Sequence, residues 1–256
     1  MKICYFTASG NCLYVARRIG GEDAELLSIP QLMKRDSIQI VDEAVGIVAP
    51  VYAVELPAMV KEFLEKAVIE TEYLFVIMTC GYGYEAALGH AELAARARGW
   101  DLKYTNGVLM VDNYLPMFDM REEMAKLSQK DVEGQLDAIC ADIRGRKEKR
   151  LDLSDELRAQ MDWYHENHEP KIMGKDMAQS YIVNDSCINC GICEKVCPAD
   201  NIQMGSNGPV FAQRCEVCYA CLHNCPQGAI RLPQEKGTAR FRNEHVSLRD
   251  IIEANA

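Results

Sequence analysis

Eight of the twelve cysteines fall between Cys187 and Cys225, in one spacing used twice. The run CINCGICEKVCPADNI (residues 187–202) and the run CEVCYACLHNCPQGAI (residues 215–230) superpose at an offset of 28, with four Cys, one Pro and one Ile in register. Each reads C-x2-C-x2-C-x3-C-P, a run that ligates iron–sulfur clusters. Three thiolates at three-residue intervals wrap a tight loop around three corners of a cubane. The fourth, held away by the turn before proline, reaches across to the other cluster. The spacing therefore predicts one [4Fe–4S] cluster on Cys187, Cys190, Cys193 and Cys225. A second falls to Cys215, Cys218, Cys221 and Cys197. Zinc also uses C-x2-C pairs, but a four-ligand ion gains nothing from a third Cys at the same interval or from the Cys-Pro beyond it.

These residues, roughly 180–232, resemble the two-cluster bacterial-type ferredoxin module. One departure is Asp200, in the segment Pro198-Ala199-Asp200-Asn201, where such modules more often carry a small residue. A carboxylate close to a cluster makes reduction harder. Cluster charge points the same way, since four thiolates on a 2+ core leave about −2 per oxidised cluster, so low potentials are expected. Lys and Arg total 28 against 38 Asp and Glu, a formal charge of −10, which favours basic partner patches and repels nucleic acid and anionic lipid. The longest apolar stretches, Tyr73 to Cys80 and Val45 to Val54, fall short of the ~20 residues of a membrane helix. With no signal-peptide pattern at Met1, a cytoplasmic location is expected, where many cysteines serve metal or redox chemistry rather than disulfides.

Upstream, β-rich runs at Lys2–Phe6, Ala24–Ile29, Ala44–Val48, Tyr73–Thr79 and Tyr104–Val111 alternate with helical patterns at Leu13–Ile19, Pro57–Lys66 and Glu85–Arg98. That alternation predicts βαβ units and a parallel sheet covered on both faces. After the first strand comes Thr7-Ala8-Ser9-Gly10-Asn11-Cys12 and then a helix: hydroxyls and backbone N–H groups placed to cradle a phosphate. It is not a Walker loop, since no Gly-Lys-Ser/Thr follows. The turn after the third strand, Pro50-Val51-Tyr52-Ala53, and that after the fourth, Cys80-Gly81-Tyr82-Gly83, are aromatic-bearing. All three lie at carboxyl ends of parallel strands, where open α/β sheets bind ligands. One anion cradle beside two aromatic loops suits a flat ring with a single phosphate tail, namely FMN.

The loop order is similar to that of a flavodoxin, with Thr7, Ser9 and Asn11 on phosphate-loop positions and Tyr52 and Tyr82 implied at the ring. Cys12 stands where the resemblance implies Thr, which removes one phosphate hydrogen bond. As a whole the chain resembles the flavodoxin–ferredoxin fusion proteins of anaerobic bacteria. The implied fold is α/β: a flavodoxin-like doubly wound parallel sheet with a small C-terminal α+β two-cluster ferredoxin-like domain. The expected division is an FMN-binding domain over residues 1–150, a helical connector over 151–178, the cluster domain over 179–234 and a polar tail over 235–256. Amphipathic spacings at Leu127, Val132, Leu136, Ile139 and Ile143, then at Leu157, Met161 and Tyr164, predict helices packed on the sheet domain rather than a loose tether. The tail has a short helical ending near Leu248–Ile252 and shows no chemistry of its own.

Other motifs read more simply. Gly81-Tyr82-Gly83 lacks a third glycine at dinucleotide spacing, the next being Gly89. His165 and His168 read as solvent or packing residues, and His223 as covering a cluster. The basic run from Arg144 to Arg150 reads as a solvated helix end, with docking of an acidic partner as the alternative. Cys4 and Cys140 read as small buried hydrophobes, while Cys12 and Cys80 flank the flavin loops. With no catalytic triad or carboxylate pair in view, the expected function is an electron-transfer flavo-iron–sulfur protein working with redox partner proteins. The alternative is an FMN-dependent reductase of a small organic acceptor, fed by the clusters.

Overall fold

The computed structural model describes residues 1–167 and 174–256. Five strands form the central sheet: β1 (Lys2–Tyr5), β2 (Glu25–Ser28), β3 (Ala44–Pro50), β4 (Tyr73–Cys80) and β5 (Leu102–Leu109). Their order is β2-β1-β3-β4-β5 and every neighbouring pair is parallel. This is the flavodoxin-like order, in which ligands collect at the carboxyl edge where the strand order reverses. The two central strands, β3 and β4, are apolar along nearly their whole length because both faces are covered. All of β3 except its last residue is buried, and β4 likewise.

Helices α1 (Asn11–Gly20) and α4 (Val132–Arg144) pack against each other. Helix α3 (Glu85–Ala97) packs between α2 (Ala58–Lys66) and α5 (Asp155–Asn167). The amphipathic segments after residue 121 thus join the sheet domain. The basic run continues as a cover along β5: Thr105 N–H donates to the Lys149 carbonyl at 2.8 Å and Lys149 N–H to that of Lys103 at 3.0 Å. Its cations face carboxylates, Arg150 at 2.7 Å from Asp101 and Lys147 at 2.9 Å from Asp142.

The cluster region is small and mixed. An antiparallel hairpin joins Ile202–Gly205 to Gly208–Phe211, and Ile182–Val183 pairs with Ile230–Arg231. Single helical turns lie at Ile192–Lys195 and Ala220–His223. The tail leaves this module and returns to the sheet domain. Its helix α6 (Leu248–Asn255) opens on a capping box between Ser247 and Asp250 and packs on the turns Ile29–Leu32 and Ile192–Lys195. Val196, Cys218, Ala220, Val246, Ile251 and Ala254 belong to the same apolar core as the sheet. Sheet, cluster module and tail are therefore fused by shared packing.

Candidate functional site

At the carboxyl edge of the sheet lies a cavity of about 360 Å3. Thr7, Ala8, Ser9, Asn11 and Cys12 line it from the β1 turn, Pro50, Val51, Tyr52 and Ala53 from the β3 turn, and Cys80, Gly81, Tyr82 and Gly83 from the β4 turn. Three separate stretches of sequence thus meet in one space. Gly10 lies behind the wall. It is the N-cap of α1, at φ 102° and ψ −18°, a conformation that glycine adopts without strain.

The donor set fits a phosphate. Thr7 Oγ1 accepts the Gly10 N–H at 3.2 Å, and Ser9 Oγ accepts the Asn113 amide at 2.6 Å. Each hydroxyl has one proton and two lone pairs, so spending a lone pair on the protein leaves the O–H to donate elsewhere. Thr7 and Ser9 are buried, and both line the cavity. The first turn of α1 adds unpaired N–H groups and the positive end of its dipole. Cys12 replaces a hydroxyl with a buried thiol that meets Thr79 Oγ1 at 3.1 Å. Burial pushes the Cys12 and Cys80 thiols up to about 12, so neither is a ready thiolate.

Aromatic groups line the rest. The Tyr82 ring stacks on Phe118 at 5.6 Å, and Tyr52 meets Phe6 edge-on at 6.2 Å. Lys130 ties two of the loops together, donating to the Gly81 carbonyl at 2.9 Å and the Met110 carbonyl at 2.5 Å. The β3 turn holds Ala53 and Val54 at positive φ. Its base is secured by Glu55, whose carboxylate lies 2.7 Å from Lys61, 3.3 Å from His90 and 3.1 Å from His165. Salt bridges and hydrogen bonds hold the Glu55 carboxyl below its usual range despite burial, which opposes that shift. His165 thus meets Glu55 from a largely exposed position. His168 lies outside the described residues.

The eight repeat cysteines sort into two pockets. One is lined by Cys187, Cys190, Cys193 and Cys225, the other by Cys215, Cys218, Cys221 and Cys197. Among the described residues no group of three or more His, Cys, Asp or Glu closes on a single ion. Four thiols around a cavity, rather than around a point, match a cluster better than one zinc. Backbone N–H groups already aim at sulfur, from Asn201 to Cys197, Val217 to Cys215 and Ala229 to Cys225, each at 3.3 Å. The loops also share their backbone. Asn189, Gly191 and Asp200 have positive φ, and so do Val217, Tyr219 and Gly228 at the same offset. Left-handed turns between ligands are what wrap three thiols round one centre, and Val217 pays strain for it as a β-branched residue. The Asp200 carboxylate points to Lys34, at 3.3 Å.

The two kinds of pocket share a wall. Cys218 and Tyr219 line both the sheet-edge cavity and the pocket of Cys215, Cys221 and Cys197. Burial, with Cys218 as a neighbour, holds the Tyr52 phenol well above its ordinary range. His223 seals the same interface: Nε2 meets the Asn113 carbonyl at 3.0 Å and Nδ1 accepts the Phe241 N–H at 3.2 Å.

Residues 186–230 match the 4Fe-4S dicluster domain family. An uncharacterized polyferredoxin-like protein of Methanocaldococcus jannaschii is 37% identical over 54 residues, 21% of this chain and 23% of that protein. A ferredoxin of Acetoanaerobium sticklandii is 50% identical over 28 residues, 11% of this chain and 50% of its own length. The chain thus spans a quarter to a half of the curated relatives it matches. A flavoprotein of Lactobacillus acidophilus, solved in complex with FMN, aligns with 50% of this chain and 97% of its own at 16% identity and a TM-score of 0.30. A parallel sheet of flavodoxin-like strand order is joined in this chain to a region that matches the 4Fe-4S dicluster domain family. Among the described residues no helix is long and apolar enough to cross a membrane.

Sequence reasoning missed part of the lining. Val111, Asp112, Asn113 and Tyr114 follow β5. The strand-end rule that found the other turns also points to this one. Gln160 and Tyr164 on α5, and Val217 to Tyr219 on the cluster loop, arrive through tertiary packing alone.

Proposed function

We propose that the chain is an electron-transfer flavo-iron–sulfur protein, passing electrons between FMN and two [4Fe–4S] clusters and outward to redox partner proteins. When bound, FMN exchanges electrons in pairs or singly while each cluster exchanges one, which makes the combination an adaptor between two kinds of partner. Cys187, Cys190, Cys193 and Cys225 hold one cluster, and Cys215, Cys218, Cys221 and Cys197 the other. Thr7, Ser9 and the N–H groups of the β1 turn and α1 hold the phosphate, with Tyr52 and Tyr82 beside the ring. The observation that carries this reading is the shared wall at Cys218 and Tyr219, which sets a cluster ligand at the edge of the sheet cavity. The outer cluster site faces partners, since Cys190 is exposed and Ile188 beside it is 61% exposed.

Anaerobic reconstitution tests the reading. Loaded protein should hold about eight irons and eight labile sulfides per chain together with FMN. About four irons, or zinc without iron, contradicts the two-cluster assignment.

A second reading, a reductase of a small organic acceptor, is favoured by one observation. The cavity wall continues past the three turns to Met117, Phe118, Gln160 and Tyr164, beyond the loops assigned to the flavin. Screening small aromatic acceptors for turnover by chemically reduced protein separates the two. The carrier reading expects oxidation by proteins and not by the small molecules.

A further inference from the structure

Three consecutive carbonyls of the β1 turn accept hydrogen bonds from three asparagines, none of them in the sheet domain's first half. Asn255 Nδ2 donates to Thr7 O at 3.3 Å, Asn224 Nδ2 to Ala8 O at 3.2 Å, and Asn243 N–H to Ser9 O at 2.8 Å. Asn243 adds a bond from Nδ2 to Asn11 Oδ1 at 3.1 Å. All three asparagines are buried.

Two of these amides are bridges. Asn255 Nδ2 also donates to Val196 O at 3.0 Å, immediately before Cys197, and Asn224 Nδ2 to Ala220 O at 3.0 Å, between Cys218 and Cys221. Both N–H groups of each amide are thus divided between the β1 turn and a loop that carries thiols of one pocket. The Oδ1 atoms of Asn224 and Asn255 are buried and have no hydrogen-bond partner. A buried acceptor left unpaired costs stability, so packing alone would favour an apolar side chain at either position. The donors are what these residues contribute. Their effect on the turn is directional: with the Thr7 and Ala8 carbonyls bound by these amides, the Ala8 and Ser9 N–H groups of the same peptides point the opposite way, as an anion cradle needs, while the Gly10 N–H is held by Thr7 Oγ1. The tail is pressed against the turn as well, since a Cβ on Gly10 would lie 3.0 Å from Asn243 Cβ and 3.0 Å from Val246 Cβ.

We infer that Asn224 and Asn255 clamp the phosphate cradle to the cluster loops of Cys197, Cys218 and Cys221, with Asn243 holding the turn from the tail, so that binding of the FMN phosphate and retention of that cluster reinforce each other. The inference rests on the FMN and cluster assignments above. The asparagines are positioning residues, acting through the turn and the loops. Coupling between two sites is reciprocal, which gives two independent readouts.

The test uses the full chain with both clusters in place. Flavin affinity is read by fluorescence quenching, and cluster loss to an iron chelator by absorbance, with paramagnetic resonance to tell the clusters apart. In wild-type protein FMN should slow loss of the Cys197, Cys215, Cys218 and Cys221 cluster more than riboflavin does, and leave the other cluster's loss unchanged. Asn255→Ala and Asn224→Ala should each weaken FMN by about three- to tenfold, the worth of one or two hydrogen bonds, with riboflavin changed less than about twofold. The protection by FMN should shrink with them. If a variant fails to fold, the wild-type comparison decides alone. FMN binding more tightly than riboflavin, with chelation rates indifferent to either, overturns the clamp and leaves the FMN assignment standing. Equal affinity of wild-type protein for both flavins overturns both.

Discussion

Tyr219 occupies a conformation that a tyrosine should avoid, and its replacement by glycine measures what the side chain contributes. Its backbone lies at φ 56° and ψ 15°, while Gly191, its counterpart in the first repeat, lies at φ 72° and ψ 5°. A left-handed residue with a Cβ costs about 1–2 kcal/mol, which Tyr219→Gly would recover. Against this stands the ring. Tyr219 is 5% exposed and packs on Tyr114 at 5.9 Å and Tyr181 at 6.5 Å, between the sheet cavity and a thiol pocket. Truncating a buried aromatic costs about 3–5 kcal/mol, and the freed backbone adds about 0.5–1 kcal/mol of unfolded-state entropy. The net expectation is a loss of about 3 kcal/mol, within a range of about 1.5–5 kcal/mol. For a chain of this size a loss of about 3 kcal/mol lowers Tm by roughly 6–12 °C. Tyr219→Phe keeps the ring and should lose less than about 1.5 kcal/mol. The assay is anaerobic thermal unfolding of the reconstituted protein, followed by circular dichroism. A Tyr219→Gly protein as stable as wild type would refute the argument, because backbone strain would then be the larger effect and the wall would owe little to the ring.

Three further outcomes are expected. Cys197→Ala should damage the cluster held by Cys215, Cys218 and Cys221 while sparing that of Cys187, Cys190 and Cys193, and spectroscopy showing the reverse would refute crossed ligation. FMN should bind more tightly than riboflavin, and Ser9→Ala should narrow the gap by about 1 kcal/mol, because its hydroxyl serves the phosphate and not the ring. The Arg17 guanidinium, helped by Ser247, holds the Asp250 carboxyl well below its ordinary range. A depressed carboxyl stabilises the folded state above its unfolded pKa of ~3.9 and the gain fades as pH falls, so docking of α6 should weaken below about pH 4, seen as faster hydrogen exchange at residues 248–255 with Thr7 to Asn11 following.

Much of this arrangement was legible because its determinants are local. Cysteine spacing is a property of one loop, and both thiol pockets match the sets that the spacing predicts, with Cys197 and Cys225 exchanged. Strand and helix periodicity gave the five strands and the turns that line the cavity. The expected β5 began at Tyr104 and the observed one at Leu102, where the charged Lys103 breaks the apolar pattern. What sequence could not show is what depends on long-range packing. Nothing in Asn224, Asn243 or Asn255 marks them as partners of residues more than two hundred positions earlier. A polar tail with one capped helix looks like solvent-facing chain. Its docking depends on Ile251 and Ala254 entering the sheet core and on Val246 closing over Gly10. The same holds for Val217 to Tyr219, read from sequence only as residues between ligands, which also form a wall of the sheet cavity.

The central claim is that the sheet cavity and the inner cluster site are neighbours within one chain, through Cys218 and Tyr219. The most direct test is flash photoreduction of the flavin in fully loaded protein, with electron arrival at the clusters followed by absorbance over a dilution series. Transfer should be first order, with a rate constant that does not change on dilution. A rate proportional to protein concentration would contradict the account, since electrons would then pass between molecules and the shared wall would not be their route.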